Sequence, residues 1–142
     1  MATPIIIDTD PGIDDALAFF LACASPELDI RAVTSVAGNV GINRTTRNAA
    51  HLLALAGKGH VPVYRGADRP LRQALATIED IHGQNGLGGV VLPGTAPDAA
   101  PGTATDALIA QLSAAAPDSL TVVLLGPQTN MALALQQRPE IA

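Results

Sequence analysis

The sequence has 142 residues, 48% of them hydrophobic, which is enough apolar material for one core, and it holds no run of about 18 apolar residues that would span a membrane. A formal net charge of -5 without any cluster of Lys and Arg excludes nucleic acid and anionic membrane surfaces as main partners. Cys23 is the only cysteine, so no intrachain disulfide can form, and its place in a helical apolar pattern puts it in the core. No secretory leader is recognisable, and the expected compartment is the cytoplasm.

The first apolar run, residues 4–8, is continuous rather than alternating and reads as a strand buried on both faces. It empties into Asp8-Thr9-Asp10-Pro11-Gly12-Ile13-Asp14-Asp15-Ala16, with four carboxylates packed into eight residues. A helix over residues 14–24 follows and stops at Ser25-Pro26, because proline disfavours helix in the residue before it. A second strand covers residues 30–36 and a second helix residues 43–55, with Asn43 as the candidate N-cap and Gly57 as the closing glycine. Arg44 and Arg47, one turn apart beside Thr45 and Thr46, read as a solvated face.

A third strand at residues 61–64 precedes a stretch over residues 83–102 that is rich in Gly, Pro and Ala and has no period, which predicts a long loop of the kind that is often functional. A third helix over residues 105–115 starts at a Thr-rich cap and ends before Pro117. A strand at residues 120–125 and a helix at residues 129–137 close the pattern, with Asn130 beside Thr129 reading as a cap residue. The alternation of strand and helix predicts an α/β fold: an open, mostly parallel, doubly wound, Rossmann-like sheet with flanking helices, in a single domain over residues 1–142. Ligands of such sheets bind at the carboxyl ends of the strands.

The acidic run sits at such an end. Asp8 and Asp10 share a face of the strand, and the Pro11-Gly12 turn brings Asp14 and Asp15 back as the first residues of the helix. Asp14 and Asp15 are accounted for by the positive end of the helix dipole, a preference of a few tenths to about 1 kcal/mol each; Asp8 and Asp10 are not. Like charges packed this closely call for solvent, protons or a hard, oxygen-bound dication. An EF-hand is excluded by its own template, since counting from Asp8 puts Ile13 where glycine is needed and Phe19 where the bidentate Glu belongs. A phosphatase of the haloacid-dehalogenase type also ends a strand in Asp-x-Asp, but continues with Gly-Thr, whereas this chain continues with Pro-Gly-Ile-Asp-Asp.

The run from Asp8 to Ala16 resembles the N-terminal signature of the calcium-dependent, inosine-uridine type of nucleoside hydrolases. Three further segments agree in order: Val36-Ala37-Gly38-Asn39-Val40, Ile81-His82-Gly83-Gln84-Asn85-Gly86-Leu87-Gly88-Gly89 and Leu125-Gly126-Pro127-Gln128-Thr129-Asn130-Met131-Ala132. The resemblance implies hydrolysis of the N-glycosidic bond of a ribonucleoside, to ribose and free base, by a water activated at Ca2+. It implies that Asp10 is both metal ligand and general base, that Asp15 is a metal ligand, and that Leu125 lends its backbone carbonyl to the metal. It gives Asp14 and Asn39 to the ribose and makes His82 a pocket histidine that helps protonate the departing base; Asp8, read from the residues alone, takes a supporting role, hydrogen-bonded to loop amides. His51 and His60 match no functional position. The family commonly forms dimers or tetramers. Because the resemblance covers only the N-terminal half of such a hydrolase, the expected ligand set is incomplete, and a noncatalytic calcium- and ribose-binding module is the alternative reading.

Overall fold

The computed structural model describes residues 2–142. Four parallel strands form one sheet in the order β3-β2-β1-β4: β1 (Thr3–Thr9), β2 (Leu28–Ser35), β3 (Val63–Arg65) and β4 (Thr121–Leu124). The chain steps outward from β1 through β2 to β3, then returns to the other side of β1, where Ile5 to Asp8 pair with Thr121 to Leu124. This reversal leaves a crevice beyond the carboxyl end of β1, the position where open α/β sheets take their ligands. The acidic run leaves β1 at that crevice.

Apolar residues on both faces of β1 explain why it is central. Ile5 and Ile7 point into one core layer with Phe19, Val33, Leu52, Leu53 and Val63, while Ile6 points into the other with Ala32, Leu108 and Ala134. The first layer is covered by α1 (Ile13–Ala24) and α2 (Ile42–Leu55), the second by α4 (Ala104–Ala114) and α5 (Thr129–Gln137). Helices on both faces make the sheet doubly wound, as the alternating sequence predicts. Cys23 is half-buried against the first layer. Among the described residues no helix is long and apolar enough to cross a membrane.

The structure departs from the sequence reading at several boundaries. Helix α2 begins one residue before Asn43, with Gly41 as its N-cap, and Asn43 instead accepts a hydrogen bond from Arg65. Gly57 does close α2, at φ +73°. A four-residue helix, α3 (Glu79–His82), was not legible in the sequence, and β3 lies two residues later than expected. The stretch over residues 83–102 carries no helix or strand, yet it is tied down. His51 Nε2 lies 2.8 Å from the Pro93 carbonyl, Asn48 Nδ2 donates to the Asn85 carbonyl, and the Ala100 amide donates to Val63. Thr45 and Thr46 are buried beneath Arg44 and Arg47, and Thr46 shares a 2.8 Å hydrogen bond with Ser35 of β2.

Candidate functional site

Register places the acidic residues. Asp8 pairs with Thr34 on one side and Leu124 on the other, so the last turn of β1 is walled by β2 and β4. Gly12, extended at φ -99°, caps α1, and its amide donates to Asp15 Oδ2 at 2.9 Å. The other Asp15 oxygen accepts from Thr9 Oγ1 at 2.8 Å. These bonds turn Asp15, a first-turn residue, back toward the strand.

Asp10 sits opposite. Its Oδ2 accepts from the Asn39 amide at 2.7 Å, while the Asn39 side chain donates to the Asp10 carbonyl at 2.9 Å and lies 3.5 Å from Asp15 Oδ2. Asn39 is therefore the clasp between the two carboxylates. Asp10 and Asp15 are each only 6% exposed. Burial raises the Asp10 carboxyl to about 6, against the opposing hydrogen bond from Asn39, and the neighbouring charges of Asp15 and Asp14 add to the rise.

Glycine makes this approach possible. A Cβ on Gly38 would overlap Asp10 Oδ2, and one on Gly126 would lie 2.6 Å from Asp10 Oδ1. Gly38→Ala is accordingly expected to displace the Asp10 carboxylate while sparing the core, which circular dichroism and crystallography of the variant would check; an unmoved Asp10 would contradict it. On Gly12 a Cβ would lie 2.7 Å from Asn39 Nδ2 and 2.8 Å from His82 Cε1 and Nδ1, so the histidine ring is seated directly on the turn. His82 Nδ1 accepts from the Ile13 amide at 3.2 Å.

Asp14 and Leu125 lie at the rim. Asp14 is exposed in the first turn of α1. Leu125 follows β4, donates its amide to the Asp8 carbonyl at 2.8 Å and leaves its side chain 43% exposed. The structure thus brings Asp10, Asp15, Asn39 and His82 together around the Pro11-Gly12 turn, with Asp14 exposed beside them, while the Asp8 side chain bonds instead to Thr34 and Asn130.

Asp8 is held differently from the sequence expectation. Its partners are side chains rather than loop amides: Thr34 Oγ1 at 2.6 Å and Asn130 Nδ2 at 2.8 Å, both on Oδ2. Asp8 Oδ1 is buried without a partner, and burial raises this carboxyl to about 6 despite those two donors. Raised from 3.8, the group stabilises the fold fully below about pH 4, and that contribution is lost as pH rises through about 6. Asp8→Asn in metal-free protein is therefore expected to raise stability at pH 8 by about 1–3 kcal/mol and to leave it unchanged near pH 4. Urea titrations at the two pH values decide this; equal effects at both would contradict it.

Asn130 is not a helix cap. Gln128 takes that position, and Asn130, fully buried, donates to Asp8 and to the Ser35 carbonyl at 2.9 Å while accepting from the Ala67 amide at 2.9 Å. It joins α5 to β1, β2 and the segment after β3. Neither Asn130 nor Thr34 carried a local signal of this role, since their partner lies 122 and 26 residues away.

The carboxylates of Asp10 and Asp15 offer oxygen donors, the kind a hard dication prefers. Among the described residues no group of three or more His, Cys, Asp and Glu side chains is arranged around one point. By chemistry alone, the paired carboxylates of Asp10 and Asp15 fit part of the shell of such an ion.

Known proteins share this fold and sequence pattern. The model of the inosine-uridine preferring nucleoside hydrolase family matches residues 5–142. The pyrimidine-specific ribonucleoside hydrolase RihA of Citrobacter koseri is 46% identical over 142 residues, 99% of this chain and 45% of its own. A solved plant nucleoside hydrolase, PpNRh1, superposes with a TM-score of 0.93 at 41% identity, covering 100% of this chain and 45% of that one. The purine-preferring ribonucleoside hydrolase of Gardnerella vaginalis gives 0.91 at 35% identity, covering 98% and 45%. The chain spans a little under half the length of these relatives. It belongs to the inosine-uridine preferring nucleoside hydrolase family.

Proposed function

We propose that this chain supplies the ribose- and metal-facing half of a ribonucleoside hydrolase that cleaves the N-glycosidic bond to ribose and free base. The observation that carries the reading is the buried pair Asp10 and Asp15, clasped by Asn39 at the carboxyl end of the central strand. In this reading Asp10, Asp15 and the Leu125 carbonyl hold Ca2+. When bound, that ion orients a water and lowers its pKa.

Asp10 takes the proton of the attacking water. Burial and the neighbouring carboxylates raise Asp10 in the metal-free site, and a bound dication would favour its ionised form, the form a base needs. Asn39 keeps one Asp10 oxygen occupied and so fixes the direction of the other. Attack at the anomeric carbon develops oxocarbenium-like positive charge on the sugar, which the buried carboxylates of Asp10 and Asp15 stabilise, with Asp14 adding to them from the rim. Asp14, at the exposed rim, binds a ribose hydroxyl together with Asn39. His82 faces the departing base.

One relative is named for pyrimidine nucleosides and another for purine nucleosides, and both align over this same segment. This supports assigning the ribose end of the substrate to these residues and much of base selection to residues outside them. Release of base from inosine and uridine, measured with protein of the family's full length in the presence of Ca2+, tests the reading. No release of either base would sink it.

A second reading concerns the 142 residues alone. Two carboxylates and one carbonyl leave much of a six- to eight-oxygen shell to water, and calcium affinity falls with ligand charge. Calorimetric titration of this chain with Ca2+ is expected to show weak binding, with little or no nucleoside turnover. Tight binding without turnover would favour a noncatalytic calcium- and ribose-binding module.

A further inference from the structure

The glycine-rich loop that follows α3 is ordered by one side chain. Gly83, Gly86, Gly88 and Gly89 all take φ between +64° and +83°, and glycine loses more conformational freedom on being fixed than any other residue. Asn85 offsets that cost from within the loop. Its Oδ1 accepts from the Leu87 amide at 3.0 Å and from the Gly89 amide at 2.9 Å, and its Nδ2 donates to the Val90 carbonyl at 2.9 Å. Two amide donors at one end and a carbonyl at the other fit only this orientation of the side-chain amide. From outside the loop, Asn48 of α2 donates to the Asn85 carbonyl at 2.9 Å, and Leu87 is anchored in the first core layer. The loop so held lies against the turn that carries the carboxylates. A Cβ on Gly86 would lie 3.3 Å from the Pro11 carbonyl, and one on Gly88 3.2 Å from Ile13 Cδ1, so these glycines bring main chain directly onto the end of the turn and the start of α1.

We propose that Asn85 is a positioning residue: it holds this loop in its ligand-ready form before the nucleoside arrives, so that substrate binding does not have to order it. The inference rests on the nucleoside reading for the identity of the ligand, but the order of the ligand-free loop does not depend on it. The kinetic consequence is specific. When only a fraction of molecules has the loop in place, apparent affinity falls by that fraction, whereas in the bound complex the loop is ordered with or without Asn85. Loss of the side chain therefore raises KM and spares kcat, unlike loss of a group that acts on the reacting atoms.

Amide hydrogen exchange of the ligand-free protein, resolved by residue in NMR spectra, reads the loop directly. The Leu87 and Gly89 amides are expected to be protected in the parent and to exchange about tenfold or more faster in Asn85→Ala, with the circular dichroism of the fold unchanged. Unprotected amides in the parent, or equal protection in the variant, would overturn the proposal. In protein of the family's full length, Asn85→Ala is expected to raise KM for inosine and uridine about tenfold or more and to keep kcat within about threefold of the parent. A fall in kcat at unchanged KM, or no change in either, would overturn the positioning role. Asn85→Asp keeps an acceptor for both amides and loses the bond to Val90, so its KM is expected between those of the parent and Asn85→Ala; a rise as large as that of alanine would count against Oδ1 as the group that orders the loop. Failure of the unsubstituted protein to release base would instead count against hydrolysis, leaving the ligand-free exchange to decide the role of Asn85.

Discussion

Replacing Asp10 with Asn is expected to lower base release from inosine and uridine by about 10²–10⁴-fold in kcat, while leaving the fold intact. The substitution keeps the shape of the side chain, and the amide oxygen can still accept from the Asn39 main chain, as Asp10 Oδ2 does at 2.7 Å. What it removes is the capacity to take a proton and one negative charge beside Asp15. Packing is preserved, so the loss reports chemistry rather than unfolding, and a folded variant no less stable than the parent is part of the expected result, since burial already disfavours the Asp10 charge. Steady-state release of base with both nucleosides, followed beside circular dichroism, checks both halves. Undiminished release would remove Asp10 from the mechanism.

The second large effect is on stability. Asn130→Ala is expected to destabilise the protein by about 2–4 kcal/mol, because it strands three polar partners in the interior: the Asp8 carboxylate, the Ser35 carbonyl and the Ala67 amide. The site cannot relax easily, since Gly66 packs directly against the Asn130 side chain and the Ser35 carbonyl. Asn130→Asp separates the electrostatic part from the steric part. It keeps the volume but faces Asp8 with a second carboxylate, so its penalty is expected to be larger at pH 8 than at pH 5, where both groups can hold protons. Urea unfolding at the two pH values measures this; a change below about 0.5 kcal/mol for Asn130→Ala would contradict the role assigned to it.

What the sequence disclosed follows from the range over which each signal acts. The doubly wound sheet was legible because continuous apolar runs and helical periods are local, and the two faces of β1 appear in the adjacent residues Ile5, Ile6 and Ile7. The convergence of Asp10 and Asp15 was legible for the same reason, since one turn at Pro11-Gly12 brings them together. Asn39 and His82 were visible only through resemblance. Their contacts to Asp10 and Ile13 join residues 29 and 69 apart, and no spacing rule spans such distances. Asn130 was misread because Asn beside Thr at a helix start has a ready local explanation, while its actual partner sits at the other end of the chain. Gly38 and Gly126 look like ordinary loop glycines until the strands are assembled and both prove to border the Asp10 carboxylate.

The identity of the products tests the central claim most directly. Protein of the family's full length bearing this sequence, incubated with uridine or inosine and Ca2+, is expected to release free base and reducing sugar in equal amounts, and no phosphate from nucleotide substrates. Intact nucleoside together with phosphate released in the presence of Mg2+ would contradict the account and assign the Asp8-Thr9-Asp10 strand end to phosphoryl transfer instead.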